Sequence, residues 1–388
     1  MTEKSSDLRE RVRAVLAPIA ANAARAEEER RIPDENIALL KETGLFRAFM
    51  PRRYGGLELR IEEYGPCIVD ISGACSATGW VAGLLAQHVH ALALFPRELQ
   101  DELWADDNDT LVGSSVAPIN VAEPADGGVH LSGRFGFSSG CDHAQWYVLG
   151  FRHPGHKPPL ERHYGVVPRS AVKIVDDWDT LGMRGTGSKS LLLDRAFIPD
   201  HRMEAIFALN SGQSKGFGSN ESPIYHAAFV PHFSIGFAAV AIGAARRMGD
   251  VYAEKIKTRI KAYTGAAATA RAPASMRLGR AAHATGAARA FLEKDWRAID
   301  TRCFSGEMPS VDELMRWRTN HGFCIQLAID AADTLMNGSG AGAWFATSEM
   351  QMLWRNVHMC GAHAGTDYDT LSEIYGRHLL GLELDPTL

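Results

Sequence analysis

The stretch Phe135-Gly136-Phe137-Ser138-Ser139-Gly140-Cys141-Asp142-His143-Ala144-Gln145-Trp146-Tyr147-Val148-Leu149 decides how the chain is divided. Its first residues read as a β segment that Gly140 breaks. Trp146-Tyr147-Val148-Leu149 reads as another strand, since aromatic and β-branched side chains suit a pleated surface. Outward from it, Leu191-Leu192-Leu193 and the turn Asp126-Gly127-Gly128 extend the β character from Thr110 to Pro199.

Both flanks read as helix. Before the β third, Leu8, Val12, Val15, Leu16 and Ile19 recur at helical spacing, and Pro33-Asp34 announces a helix carrying Ile37 and Leu40. The period breaks at Met50-Pro51-Arg52-Arg53-Tyr54-Gly55-Gly56 and resumes from about Glu62 to Trp104. After it, a Gly/Ser-rich connector (Asn210 to Ser222) leads into alanine-rich helices reaching Leu382. One of these starts at the capping box Ser310-Val311-Asp312-Glu313 and ends at Asn337-Gly338. The order predicts a mainly α protein with a central β domain: helices, then a β barrel or sandwich, then a helical bundle.

Composition narrows the partners. The 388 residues hold 41 Lys plus Arg against 46 Asp plus Glu, a net charge of −5, so no basic field favours nucleic acid or an anionic membrane. The longest apolar run, Ile235 to Ala245, stops at Arg246-Arg247, short of the roughly 20 residues a bilayer needs, and reads as a buried helix. Six cysteines without CxxC pairs and no recognisable leader predict reduced thiols in a cytoplasm. His358 and His363 are too poorly spaced to ligate one ion, and no HExxH accompanies them, so no metal is expected. Gly338-Ser339-Gly340-Ala341-Gly342-Ala343 fits a dinucleotide fingerprint in letters but follows a helix, not a strand.

The domain order and five stretches together resemble the acyl-CoA dehydrogenase fold over nearly the whole chain, which implies a helical N-terminal domain (1–108), a β-barrel domain (109–208) and a C-terminal four-helix bundle (209–388). The stretches are Tyr54-Gly55-Gly56, Phe135 to Gly140, Leu181-Gly182-Met183-Arg184-Gly185-Thr186-Gly187-Ser188, Asn337-Gly338-Ser339-Gly340 and Trp354-Arg355-Asn356-Val357. A dehydrogenase of this fold needs a carboxylate base. The position that carries it holds Ala364 in His363-Ala364-Gly365-Thr366, and the alternative location has no Asp or Glu between Ser222 and Gly249. The run Phe137 to Trp146, the 184–188 loop and His363 in place of a tyrosine are similar to another branch, the two-component reduced-flavin-dependent monooxygenases. Among these, the phenol hydroxylases acting on 3-hydroxy-9,10-secoandrostatriene-dione and on p-hydroxyphenylacetate are the likeness.

That resemblance implies a homotetramer that takes FMNH2 or FADH2 from a separate NAD(P)H-dependent flavin reductase, forms a C4a-hydroperoxyflavin with O2 and hydroxylates a small aromatic substrate. It places a hydroxyl beside flavin N5, for which Ser138 or Ser139 is the candidate; alternation along a strand allows only one of them to reach the ring, and Gly140 permits close approach. It makes His363 and His88 the residues that orient and activate the substrate, with His90, about 200° round the same helix, structural. Ser114 and Ser115 stand where relatives face flavin and substrate. Arg184, Thr186, Gly187 and Ser188 offer a cradle of amides, hydroxyls and a cation for the cofactor's polar edge. Trp178 is either a roof for that pocket or an ordinary buried tryptophan. The rival chemistries are oxidation of an acyl-CoA and oxygenation at nitrogen, sulfur or an indole ring. Asn356 departs from the aspartate that many relatives carry after the arginine, which removes a charge from that corner.

Overall fold

The computed structural model describes residues 3–153, 162–260 and 262–383. Among these, seven helices precede the sheets: α1 (Glu3–Ala14), α2 (Leu16–Ala21), α3 (Ala23–Glu29), α4 (Asp34–Thr43), α5 (Ile61–Ala74), α6 (Ser76–Leu92) and α7 (Arg97–Trp104). The span expected as one helix from Glu62 to Trp104 is three. Cys75 takes an extended conformation (φ −154°, ψ 109°) and its sulfur accepts from the Thr78 amide, so the chain turns a corner between α5 and α6; Pro96 then precedes α7.

Helix α6 is buried at every residue, which its apolar and small side chains allow. Helix α5 packs beside it, and at Gly65 an added Cβ would lie 2.6 Å from the Trp296 indole, so glycine is what lets that ring close on the helix. Asp70 on α5 accepts from Arg9 Nε at 2.9 Å and Arg13 Nε at 3.0 Å, which fastens α1 to α5. The two guanidinium groups hold the Asp70 carboxyl below its usual range, against the burial that acts the other way.

The β third forms two four-stranded sheets, β1 (Val112–Val121), β4 (Trp146–Arg152), β5 (Arg162–Pro168) and β8 (Met203–Ala205) in one, and β2 (Glu123–Ala125), β3 (Gly128–Ser138), β7 (Lys189–Pro199) and β6 (Lys173–Val175) in the other. Strands β1 and β4 are parallel; the other pairs are antiparallel. Leu131, Tyr147, Leu149, Phe151, Val167, Leu191 and Ile198 form a core of their own.

The connector holds a short helix, α8 (Ile206–Ser211), not foreseen in the sequence. The C-terminal helices follow: α9 (Phe229–Thr258), α10 (Ala272–Ser305), α11 (Val311–Ser339), α12 (Glu349–Gly361) and α13 (Tyr368–Leu379). The Ser310 capping box forms as expected, with Ser310 Oγ accepting from the Glu313 amide and Glu313 returning a bond to the Ser310 amide. Helix α9 is long and apolar enough to cross a membrane by length and composition. Here it is the central helix of the bundle, 82% of its most apolar window is buried inside the protein, and it packs against α5, α6, α10, α11 and α12. Asp300 of α10 accepts from the Ile61 and Glu62 amides at 3.0 and 2.9 Å, joining the bundle to the start of α5.

Candidate active site

Phe229, Phe233 and Phe237 fall at i, i+4 and i+8 on α9 and form one aromatic stripe, with ring centroids 5.1 and 5.6 Å apart. Tyr164 of β5 meets its first ring at 5.7 Å. At the other end Trp80 of α6 and His363 pack on Phe237, at 4.8 and 4.3 Å, and lie 5.8 Å from each other. His88, two turns beyond Trp80, stacks on Phe233 at 5.7 Å. The two histidines named from the sequence therefore flank one apolar wall. The wall itself was missed, although the fourfold spacing of its phenylalanines is visible in the sequence.

Hydrogen bonding fixes the protonation of each ring. His88 Nδ1 lies 2.6 Å from the Val112 carbonyl, which can only accept, so Nδ1 carries the hydrogen and Nε2 presents a bare lone pair. That Nε2 is buried with no partner in the protein. His363 sits in the turn after α12, and its Nδ1 accepts from the Gly365 amide at 3.0 Å, so its neutral ring carries hydrogen on Nε2. Burial pushes both rings down to about 4, hence both are neutral at pH 7. His90 is turned away, as its position round the helix predicted: its Nε2 meets the Ile224 carbonyl at 2.9 Å and its ring stacks on His232 at 3.6 Å.

The serines at the end of β3 do not follow simple alternation. Phe137 has φ +61° and the β3–β7 register shifts between Phe135 and Ser138, so a bulge breaks the two-residue period there. Both Ser138 and Ser139 are consequently buried. Ser138 Oγ has no partner in the protein. Ser139 Oγ accepts from Trp80 Nε1 at 3.0 Å and lies 2.7 Å from Ser188 Oγ, directly beside the aromatic wall. Phe137 itself is 75% exposed, with Trp178 edge-on at 5.9 Å. Trp178 is buried and donates to the Met183 carbonyl, which fits the ordinary reading of that residue.

The other sequence candidates make these contacts within the fold. Ser115 Oγ donates to the Gly136 carbonyl at 2.6 Å and ties β1 to the bulge; Ser114, its neighbour on β1, pairs with Val148. The close approach that Gly140 permits is to Val81 of α6, 2.5 Å from a hypothetical Cβ. The 184–188 loop is tied into the fold at several points. Arg184 donates to Asp179 and to the Thr180 carbonyl, Gly185 packs on the Ala26 backbone of α3, Gly187 lies against the Arg30 carbonyl, and the amides of Thr186 and Gly187 are bonded within the loop. Thr186 and Ser188 alone face the site's hydroxyl network, at 2.6 Å from each other. A glycine-rich run looks the same in sequence whether it hugs a ligand or a helix.

Two family models match, "Acyl-CoA dehydrogenase, N-terminal domain" over 2–106 and "Acyl-CoA dehydrogenase, C-terminal domain" over 235–368. The chain is 43% identical over 380 residues to the oxygenase component of p-hydroxyphenylacetate 3-hydroxylase from Acinetobacter baumannii, covering 98% of this chain and 90% of that one. The chain belongs to the flavin-dependent monooxygenase branch of the acyl-CoA dehydrogenase family. The crystal structure of 3-HSA hydroxylase from Rhodococcus sp. RHA1 superposes with a TM-score of 0.93 at 30% identity over 98% of both chains. XiaF from Streptomyces sp., solved in complex with FADH2 and glycerol, gives 0.91 at 26% identity, covering 98% of this chain and 96% of that one.

Within this family the vacant base positions gain meaning. Ala364 is exposed and the first turn of α9 has no acidic residue. The family's aspartate after the arginine is Asn356, whose Oδ1 accepts from the Met183 amide at 2.6 Å while its Nδ2 donates to Ser76 Oγ at 2.8 Å. The corner keeps an ion pair one residue earlier, Arg355 to Glu27 at 2.7 Å. The buried orphan atoms Ser138 Oγ and His88 Nε2, and the hydroxyl of Ser139 beside the aromatic wall, fit a flat heteroaromatic cofactor and a ring-shaped substrate.

Proposed function

We propose that the protein is the oxygenase component of a two-component system that hydroxylates a phenol or similar electron-rich aromatic compound. The observation that carries this is the pairing of two neutral histidines on one aromatic wall, with the dehydrogenase base position held by Ala364 and no acidic residue in the first turn of α9. Reduced flavin, FMNH2 or FADH2, delivered by a separate NAD(P)H-dependent reductase, supplies the electrons with which O2 yields one oxygen atom to the ring.

The chain's own residues divide the remaining work. Ser139 takes the flavin N5 edge, and Ser138 and Ser114 line the same end of the β domain. His88 Nε2 accepts a hydrogen bond from the substrate hydroxyl. A phenol is a weaker acid than imidazolium by several pKa units, so this polarises the ring without removing its proton outright. His363 Nε2–H donates toward negative charge developing on the opposite side. Phe233 and Phe237 exclude water and give the substrate a stacking surface. The family relationship and the exposed Trp344 and Phe345 on the bundle support assembly with further copies, as a homotetramer. Six unpaired, buried thiols suit a reducing cytoplasm.

The test is single-turnover mixing of FMNH2-loaded protein with O2 and a panel of phenols, indoles and acyl-CoAs. Hydroxylated phenol supports the proposal; flavin bleaching by an acyl-CoA in the absence of oxygen overturns it.

A further inference from the structure

Four side chains beneath the aromatic wall form one continuous chain of hydrogen bonds. Trp80 Nε1 lies 3.0 Å from Ser139 Oγ, Ser139 Oγ 2.7 Å from Ser188 Oγ, and Ser188 Oγ 2.6 Å from Thr186 Oγ1, which ends 2.8 Å from the Met183 carbonyl oxygen. All four side chains are buried. The chain has a fixed direction because its ends do. An indole N–H can only donate and a carbonyl can only accept. The Met183 carbonyl also accepts from Trp178 Nε1 and the Thr186 amide, and two oxygens 2.8 Å apart need a hydrogen between them, so Thr186 gives its single hydrogen to Met183. Ser188 must then give its hydrogen to Thr186, and Ser139 its hydrogen to Ser188. Ser139 is left with its proton committed, one lone pair taken by Trp80 and one lone pair free.

We infer that Thr186 and Ser188 are positioning residues that hold Ser139 as a hydrogen-bond acceptor, so that the site distinguishes reduced from oxidised flavin. The inference rests on the proposed function, which puts Ser139 at the flavin N5 edge. Reduced flavin carries a hydrogen on N5 and can donate to the free lone pair. Oxidised flavin has a bare nitrogen at N5 and needs a donor, which the chain denies it. Reduced cofactor is thereby retained for reaction, and oxidised cofactor is released for the reductase to take up again. Ser138 stands outside the chain and has no part in this selection.

The experiment measures dissociation constants of FMN and, anaerobically, of FMNH2 for the native protein and three variants, and forms the ratio of oxidised to reduced. Native protein is expected to favour FMNH2. Ser188→Ala and Thr186→Val each free the Ser139 hydrogen to turn toward N5, and each should lower the ratio about fivefold, the worth of one ordinary hydrogen bond, mainly by tightening FMN. Thr186→Ser keeps the hydroxyl and should keep the native ratio. Should Thr186→Val fail to fold, Ser188→Ala carries the test. Folded Ser188→Ala with the native ratio overturns the inference while leaving the proposed function standing. Native protein that binds neither form of flavin removes the proposed function, and the inference with it.

Discussion

His88 and His363 are held in opposite tautomers on neighbouring rings of one helix. The Val112 carbonyl takes the Nδ1 hydrogen of His88, and the Gly365 amide fills the Nδ1 lone pair of His363, so one ring offers an acceptor at Nε2 and the other a donor. Phe233 and Phe237, which carry them, are 5.6 Å apart. An acceptor and a donor beside one aromatic wall can grip a phenol and polarise it. Two histidines in the same tautomer could not do both.

This arrangement fixes the pH dependence of product formation. Both rings are pushed down to about 4 by burial, so His88 keeps its lone pair until the pH falls that far. The acid limb of the product-forming rate should lie near pH 4, with no inflection at the ordinary histidine value of about 6.5. Rates measured between pH 4.5 and 8 with saturating reduced flavin check this, and His88→Ala should lower the rate roughly 10²-fold or more without abolishing flavin binding. A limb at the ordinary value would mean that the histidines are solvated.

Folding stability should depend on acid for the same reason. His88, His90 and His363 sit at about 4 and His321 at about 3 when folded, against about 6.5 unfolded. Between these values the unfolded chain binds the protons and the folded one does not. Stability contributed by these rings is complete above about 6.5 and declines as pH falls toward 4, by about 1.4 kcal/mol per pH unit for each ring. Asp295 and Asp300, pushed up to about 6 and about 7, act in the opposite sense. Four rings against two carboxyls leave a net loss, so urea midpoints should fall from pH 7 to pH 5. A flat profile would contradict the buried, neutral rings.

Asn356 gives a pair of substitutions with different outcomes. Asn356→Leu strands the Met183 amide and the Ser76 hydroxyl in the interior and should cost about 2–4 kcal/mol. Asn356→Asp should cost little, since the Ser76 hydroxyl can rotate to donate and the start of α6 favours a negative charge. Thermal melts of the two variants check the contrast; equal losses would show that the bonds do not matter.

Phe137 holds a left-handed conformation, φ +61°, with its ring 75% exposed. A side chain there is strained and buries little in return, so Phe137→Gly should stabilise the unliganded protein by up to about 1 kcal/mol. It should also weaken flavin or substrate binding, because the retained strain is useful only if the ring meets a ligand. A destabilised variant in chemical denaturation would contradict this.

What was legible in the sequence follows from the range of the interactions involved. The Ser310 capping box and the helix, sheet, helix order depend on residues a few positions apart, and both appear in the structure. His88 and His363 were found from a resemblance, whereas their tautomers depend on Val112 and on the turn holding Gly365, which only the folded chain supplies. The bulge at Phe137 was hidden because alternation along a strand was assumed to continue through it. Gly187 lies against the Arg30 carbonyl, a contact the sequence could not show because close approach to backbone and close approach to a phosphate require the same residue. The stripe of Phe229, Phe233 and Phe237 was the signal available and unread, since aromatic residues at helical spacing are usually ordinary core.

Isotope tracing in a single turnover reaches the central claim most directly. Protein loaded with FMNH2 is mixed with oxygen-18-labelled O2 and p-hydroxyphenylacetate or a related phenol, and the product is weighed by mass spectrometry. The account predicts a ring hydroxyl carrying one labelled oxygen, greatly reduced in His88→Ala and His363→Ala although both still bind flavin. Release of all the label as hydrogen peroxide with every phenol, together with flavin reduction by an acyl-CoA, would contradict it.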